Sequence, residues 1–472
     1  MSLHVAIVGA YGSAGVAAAD ELVDRADDGG IDDLELTLID DGDPGGGLCI
    51  LRGCMPSKDV LSAAEDRYRV RHDDRLSGTP TVDPEAVVAR KDDHVSNFAE
   101  HRREHVHDLA EREDVEFLHE RARFVADRTL AVGSRELKPD YVVVATGSRP
   151  SIPDLPGMEA VEPLTSSDVL DATRFPDSAV VMGFGYVGLE LAPYLAEVGG
   201  VDITVIEHEE RPLDDMEDEF GDTLLELYRE QFGIDILVET DERRVEATEG
   251  GVRLHVEREG DEEAIEADRL CAFTGREPNL EGLGLENTSL EPGENWVEST
   301  MQATGDDRVF VVGDANGREP ILHVAKEQGF ATGENIVRHA RGAELEPYAN
   351  VPHHVIFSGL GVYPFARIGH TPETVAELGM DAVVVSREAS SDGVFAVKGH
   401  PEGRATLVVG EDGTVLGYQG LHYQADVMAK TMQVAVEMGL DVREVPKRAY
   451  HPTTPEILDG LFREARTELG DR

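Results

Sequence analysis

Apolar residues in this chain gather in short unbroken runs that end on glycine, the pattern of buried parallel strands feeding helices. Val5-Ala-Ile-Val8 runs into Gly9-Ala-Tyr11-Gly12-Ser-Ala14-Gly15 and then into a helical pattern reaching Leu22. The order recurs at Ala179-Val-Val-Met182, Gly183-Phe-Gly185-Tyr-Val-Gly188 and Leu189 to Leu195. Each unit is followed by a strand that ends on an acid: Leu34 to Ile39 before Asp40, and Ile203 to Ile206 before Glu207. Glycines so spaced allow a tight turn, close approach to a diphosphate and packing of helix on sheet, with the acid placed for ribose hydroxyls. The second unit carries the whole fingerprint. The first has Tyr11 where the middle glycine belongs, so Gly12 takes that role at altered spacing or the turn is structural only.

Tyr141 to Ala145 reads as a further buried strand, ending in Thr146-Gly147, and Pro150, Pro153 and Pro156 mark a crossover. Val309 to Val312 is another, presenting Asp314 just past its end, where open α/β sheets bind ligands. From about Tyr348 the style changes: Ala366 to Ile368, Ala405 to Val409 and Val415 to Tyr418 read as antiparallel strands, and Ala425 to Met438 as a helix. The fold class is therefore α/β, with two Rossmann-like dinucleotide-binding domains and a C-terminal α+β domain.

Charge narrows the setting. The 472 residues carry a net charge of −52, and seven of the 43 basic residues are lysine. The acids are scattered, so they read as a solvated surface resembling that of proteins from extreme halophiles. A field of this sign opposes nucleic acid and anionic membranes. The apolar stretches are too short to span a bilayer, and Met1-Ser-Leu-His lacks the basic start of a signal peptide, so the expected location is cytoplasmic.

With three cysteines in all, Cys49 and Cys54 in Gly45-Gly-Gly-Leu-Cys49-Ile-Leu-Arg-Gly-Cys54-Met-Pro-Ser-Lys58 stand out. Positions five apart sit roughly 140° from each other on a regular helix, so a bridge needs a distorted turn. Gly53 and the preceding glycines supply that freedom, and the pair reads as a switchable disulfide. Two buried cysteines or a zinc fragment are the alternatives, but no second cysteine pair exists, and no metal is expected. Cys271 reads as a small buried hydrophobe. His451 is a candidate base, since a thiol must lose a proton to attack a disulfide and imidazole titrates nearest neutrality. Thr454 before Pro455 predicts a helix start that puts Glu456 in the first turn, able to orient the ring.

Together these segments resemble the FAD-dependent pyridine nucleotide-disulfide oxidoreductases, the class of dihydrolipoamide dehydrogenase, glutathione reductase and mercuric reductase. The carriers are Gly46 to Lys58, Ala145-Thr-Gly-Ser, Gly183 to Glu190, Gly275-Arg-Glu-Pro-Asn279, Gly313-Asp314 and His451-Pro-Thr-Thr-Pro-Glu456. The resemblance implies a discontinuous FAD-binding domain at 1–150 and 277–347, an NAD(P)-binding domain at 151–276 and a dimerisation domain at 348–472. It implies FAD near Gly9, Gly12, Ala14 and Asp40, near Gly46 and Gly47, and near Thr146, Gly147 and Asp314. NAD, or NADP, would lie near Gly183, Gly185, Gly188, Glu207 and Gly275. Cys54 would face the flavin and Cys49 would meet substrate, Lys58 and Glu190 would form an ion pair beside the flavin, and His451 with Glu456 would serve the partner subunit's disulfide in a homodimer.

The implied reaction moves two electrons between NAD(P)H and a small dithiol or disulfide, most like dihydrolipoamide dehydrogenase. Rivals are a reductase of bis-γ-glutamylcystine or glutathione type, a mercuric reductase, and a flavin-based quinone or oxygen reductase. Departures from the family pattern are Leu48 before the first cysteine and Ile50-Leu-Arg52 between the two; Arg52 could attract a carboxylate-bearing disulfide. The C-terminus lacks the cysteine pair typical of mercuric reductases.

Overall fold

Strands whose residues are apolar on both faces must be covered on both, and the sheets built from the glycine-ended runs are parallel. The computed structural model describes residues 2–29, 31 and 33–470. Chain contacts divide it into two units, one of residues 1–57, 89–151 and 276–350, the other of 58–88, 152–275 and 351–472.

In the first unit a six-stranded sheet runs in the order Gln302–Ala303, Asp306–Val311, Tyr141–Val144, Ser2–Val8, Asp33–Ile39, Val115–Leu118. All neighbours are parallel except the first pair. Tyr141–Val144 is buried at every position, as its unbroken run of valines requires. The helix Ser13–Asp27 follows the first glycine turn and packs on the helix Leu322–Ala340. A small antiparallel sheet, Ala122–Ala126, Thr129–Val132 and Arg135–Leu137, and the pair Ser148–Pro150 with Arg276–Pro278 complete the sheets. The sequence pattern gives no hint of the 26-residue helix Pro84–Leu109, whose few buried positions include Lys91 beside Ala99 and Val106.

The second unit holds a four-stranded parallel sheet in the order Asp235–Leu237, Asp202–Ile206, Ser178–Met182, Arg269–Ala272. Cys271 is fully buried in it, and burial pushes its thiol up to about 12. The same unit holds the antiparallel sheet of Thr240–Ala247, Val252–Arg258 and Asp261–Ala267. Its third sheet is antiparallel, in the order His353–Ile356, Phe365–Gly369, Val415–His422, Gly403–Gly410, Ala382–Glu388, with helices Ala425–Glu437 and Glu456–Glu468 packed on it.

The helix Tyr186–Tyr194 contains Pro193, which has no N–H for the carbonyl of Leu189. The hydroxyl of Tyr228 donates to that carbonyl instead, and in turn accepts the N–H of Gly359 at 2.8 Å. Wider coiling of the chain follows at once, in the π-helical turn Leu195–Gly199. Among the described residues no helix is long and apolar enough to cross a membrane.

Candidate functional site

Gly47, at φ +78°, leads into one helical turn, Leu48–Leu51, which ends when the N–H of Arg52 bonds the Leu48 carbonyl at 2.9 Å. A new helix, Cys54–Arg71, starts two residues later. At Gly53 a side chain would come within 2.9 Å of the Cys49 Cα and 3.0 Å of the Leu48 carbonyl oxygen. Only glycine lets the chain fold back this closely. The break carries Cys54 over Cys49, which a continuous helix would hold apart, and the two are joined as a disulfide with Cα atoms 5.0 Å apart.

Lys58 lies one turn along the second helix. Its Nζ meets both carboxylate oxygens of Glu190, at 2.6 and 2.7 Å, and sits 4.6 Å from the centre of the Phe357 ring. Glu190 also accepts the Phe357 N–H at 3.1 Å, so the pair is fixed on two sides. His451 is exposed, and its Nδ1 is 3.0 Å from each carboxylate oxygen of Glu456. The helix after it begins at Glu456 with Pro455 as its cap. That cap is one place later than the sequence pattern puts it, and the Thr454 hydroxyl donates to Gln424 at 2.7 Å.

A cavity of about 520 Å³ opens in the first unit, within the range of small-molecule sites. From the strand ends it is lined by Gly9, Gly12 and Asp40, from the approach to the cysteines by Gly46 and Gly47, and from the next strand by Thr146 and Gly147. Asp40 accepts the N–H groups of Tyr11 at 2.9 Å and Gly42 at 2.8 Å. Burial raises its pKa, and those two N–H groups oppose the rise. The Thr146 Oγ1 is buried with no partner among the described residues, a polar atom left for a ligand. A long dinucleotide with hydroxyls and a diphosphate suits this donor set. Ala14 and Asp314 are not on the cavity wall: Ala14 is buried on its helix, and Asp314 accepts the Ser148 hydroxyl at 2.5 Å. Ser148 is held in turn by Arg276, at 2.8 Å to its Oγ and to its carbonyl.

In the second unit Gly183, at φ +91°, turns the chain at the strand end, Gly185 faces open space and Gly188 sits under the Gly183 carbonyl. Glu207 accepts the N–H groups of Phe184 and Glu209, each at 3.1 Å, and burial raises its pKa against them. Arg211 is spent on three acids, Glu210 and Asp218 at 2.9 Å and Asp222 at 3.0 Å. Gly275 adopts φ +91° in a loop with open space around it. No cluster of three metal-ligating side chains occurs among the described residues.

Sequence reasoning missed what supports the first turn. The Tyr11 ring is buried, its hydroxyl 2.9 Å from His107 Nε2 and its face near Phe117. Arg102 donates to the Tyr11 carbonyl at 3.2 Å and Arg103 to that of Gly45 at 3.0 Å. His107, Arg102 and Arg103 all stand on the long polar helix that had no apolar signal.

Residues 3–329 match the model of the pyridine nucleotide-disulphide oxidoreductase family, and residues 354–461 match that family's dimerisation domain. The chain belongs to this family. It is 30% identical over 453 residues to dihydrolipoyl dehydrogenase 2 of Haloarcula marismortui, covering 92% of each chain. Against the dihydrolipoyl dehydrogenase of Halobacterium salinarum it is 28% identical over 440 residues, covering 90% of this chain and 89% of the other. Its fold is that of an HOCl-induced flavoprotein disulfide reductase from Escherichia coli, with TM-score 0.79, 22% identity and coverage of 98% and 99%. The protein is an FAD-dependent, NAD(P)-linked disulfide oxidoreductase, most like the dihydrolipoyl dehydrogenases.

Proposed function

We propose that the enzyme oxidises dihydrolipoamide, using NAD⁺, as a homodimer in the cytoplasm of a cell adapted to high salt. The Cys49–Cys54 disulfide carries this reading. One substrate thiolate attacks the Cys49 sulfur, the bond between the cysteines breaks, and Cys54 leaves as a thiolate at the start of an 18-residue helix. Helix N-termini stabilise such a charge. The second substrate thiol then attacks the mixed disulfide, freeing Cys49 and closing the substrate's own disulfide, so that the two electrons rest on the cysteine pair. Bound FAD supplies the two-electron relay from that pair to the nicotinamide.

His451 takes the thiol protons. Glu456 fixes its Nδ1, which leaves Nε2 as the acceptor. The family's dimerisation domain supports a site in which this pair serves the partner's Cys49. Lys58 and Glu190 set the charge beside the flavin. Glu207 supports NAD over NADP, because a half-buried carboxylate repels a 2′-phosphate and Arg211, already tied to three acids, does not offset it.

The test is steady-state turnover in molar salt on dihydrolipoamide, bis-γ-glutamylcystine, glutathione disulfide, mercuric ion and quinones, with each nicotinamide cofactor. Dihydrolipoamide with NAD⁺ is expected to give the highest kcat/KM, falling to background in Cys49→Ser. Quinone reduction that survives Cys49→Ser, with no dithiol activity in the wild type, would replace this reading with a flavin-based quinone reductase.

A further inference from the structure

A dinucleotide diphosphate carries two negative charges into a cavity that is already acidic. Its walls include the carboxylates Asp40, Asp41, Asp43, Glu120 and Glu281, against two arginines, Arg52 and Arg121. The Glu281 carboxylate is paired with Arg149, and the N-terminus of the helix Ser13–Asp27 contributes about half a positive charge, too little to offset the other four acids. Arg121 is turned to one side, where its guanidinium donates to the Glu281 carbonyl at 3.3 Å. Arg52 has no carboxylate partner among the described residues.

The backbone places Arg52 within reach of the phosphate cradle. Gly47, which caps the turn Leu48–Leu51, lies against Gly12, the cap of the helix Ser13–Asp27: a Cβ at Gly47 would sit 3.1 Å from the Gly12 Cα. Arg52 closes that single turn through its bond to the Leu48 carbonyl. At about 1.5 Å of rise per residue, its Cα is about 7.5 Å along the turn from Gly47, a distance an arginine side chain spans. Leu48 and Leu51 line the cavity with it and offer no polar side-chain atom.

We propose that Arg52 is the cation that holds the FAD diphosphate at the N-terminus of the helix Ser13–Asp27. Its fork donates to phosphate oxygens in two directions, which a lysine does not match. The assignment rests on this cavity being the FAD site. It does not depend on which dithiol the enzyme oxidises.

The experiment compares wild type, Arg52→Gln and Arg52→Lys in molar KCl. Flavin release on dilution is followed by the fluorescence of free FAD, and ADP and adenosine are tested as competitors for FAD rebinding. Arg52→Gln should weaken FAD about 10- to 100-fold, the range of a lost charge-assisted hydrogen bond, and Arg52→Lys should recover part of it. At 1 M salt the screening length is about 3 Å, so the loss persists there only if the contact is direct. ADP competition should weaken in Arg52→Gln while that of adenosine stays the same. Wild-type FAD affinity in Arg52→Gln overturns the proposal, as does an equal loss for ADP and adenosine. Unchanged FAD affinity together with a selective fall in kcat/KM for bis-γ-glutamylcystine would move Arg52 to the substrate side. A wild type that holds flavin but ignores dihydrolipoamide overturns the substrate reading alone.

Discussion

The two glycine turns do the same work with different numbers of residues. Gly9 and Gly183 both have positive φ, +96° and +91°, and a side chain at either would overlap a carbonyl oxygen of the neighbouring strand end, Ala145 or Phe273. Gly12 and Gly185 both cap a helix. Gly15 and Gly188 both lie under the carbonyl of the first glycine. The second turn spans these roles as Gly183, Gly185 and Gly188, and the first as Gly9, Gly12 and Gly15, so Tyr11 is an inserted residue. The insertion is closed by a bond from the Gly12 N–H to the Gly9 carbonyl at 3.1 Å. It also moves the donor to the strand-end acid one place, from Phe184 in the second turn to Tyr11 in the first. A glycine turn therefore tolerates an extra residue if its side chain has somewhere to go, and here it goes to His107, Phe117 and the bare face of Gly45.

The largest effect should come from emptying that space. Tyr11→Ala should lower stability by about 3–5 kcal/mol, the range for large aromatic truncations, measured by guanidinium unfolding. Deleting Tyr11 loses the same packing but leaves Gly9-Ala-Gly12-Ser-Ala-Gly15, the spacing of the second turn, so it should still bind FAD; a colourless deletion variant would break the correspondence. Next, Gly15→Ala should weaken FAD about 10- to 100-fold, since the backbone carbonyl above it cannot retreat, whereas Gly188→Ala should keep its flavin and lose nicotinamide affinity. Flavin content by absorbance and NADH titration separate the two.

The smallest effect concerns the strand-end acids. Because the pKa of Asp40 is raised on folding, its charge opposes folding at neutral pH. The FAD-free wild type should then be less stable at pH 7 than with Asp40 protonated, measured against Asp40→Asn, which does not titrate. The gap should close as pH falls from the raised value toward the ordinary carboxyl range, where wild-type Asp40 is neutral as well. Flavin affinity should fall in the same variant, and a gap that widens on acidification would contradict the sign.

The second turn was legible because all three glycines and Glu207 stand at regular spacing. The first was legible only as two alternatives, Gly12 in the middle role at altered spacing or a structural turn, since a string of letters does not separate a tyrosine substituted for glycine from one inserted beside it; the bond between Gly12 and Gly9 does. Removing Tyr11 from the string and finding the regular spacing was the available signal. Pro84–Leu109 stayed hidden because its contacts are made by arginines and a histidine, which read as surface. Lys58 and Glu190 are 132 residues apart and were visible only through resemblance. The strands themselves were read to within a few residues, since burial on both faces leaves no polar interruption. Thr454 was read one place early, since the helix cap falls on Pro455.

Pro193 and Tyr228 are coupled through one carbonyl, that of Leu189. A tyrosine-to-phenylalanine change at 228 would strand the Leu189 carbonyl and the Gly359 N–H together, two unmet groups in a fully buried spot. In a chain with alanine at 193 the helix would answer the carbonyl itself, and the tyrosine would be dispensable to it. The two positions are therefore coupled: Tyr228→Phe should cost more beside proline at 193 than beside alanine.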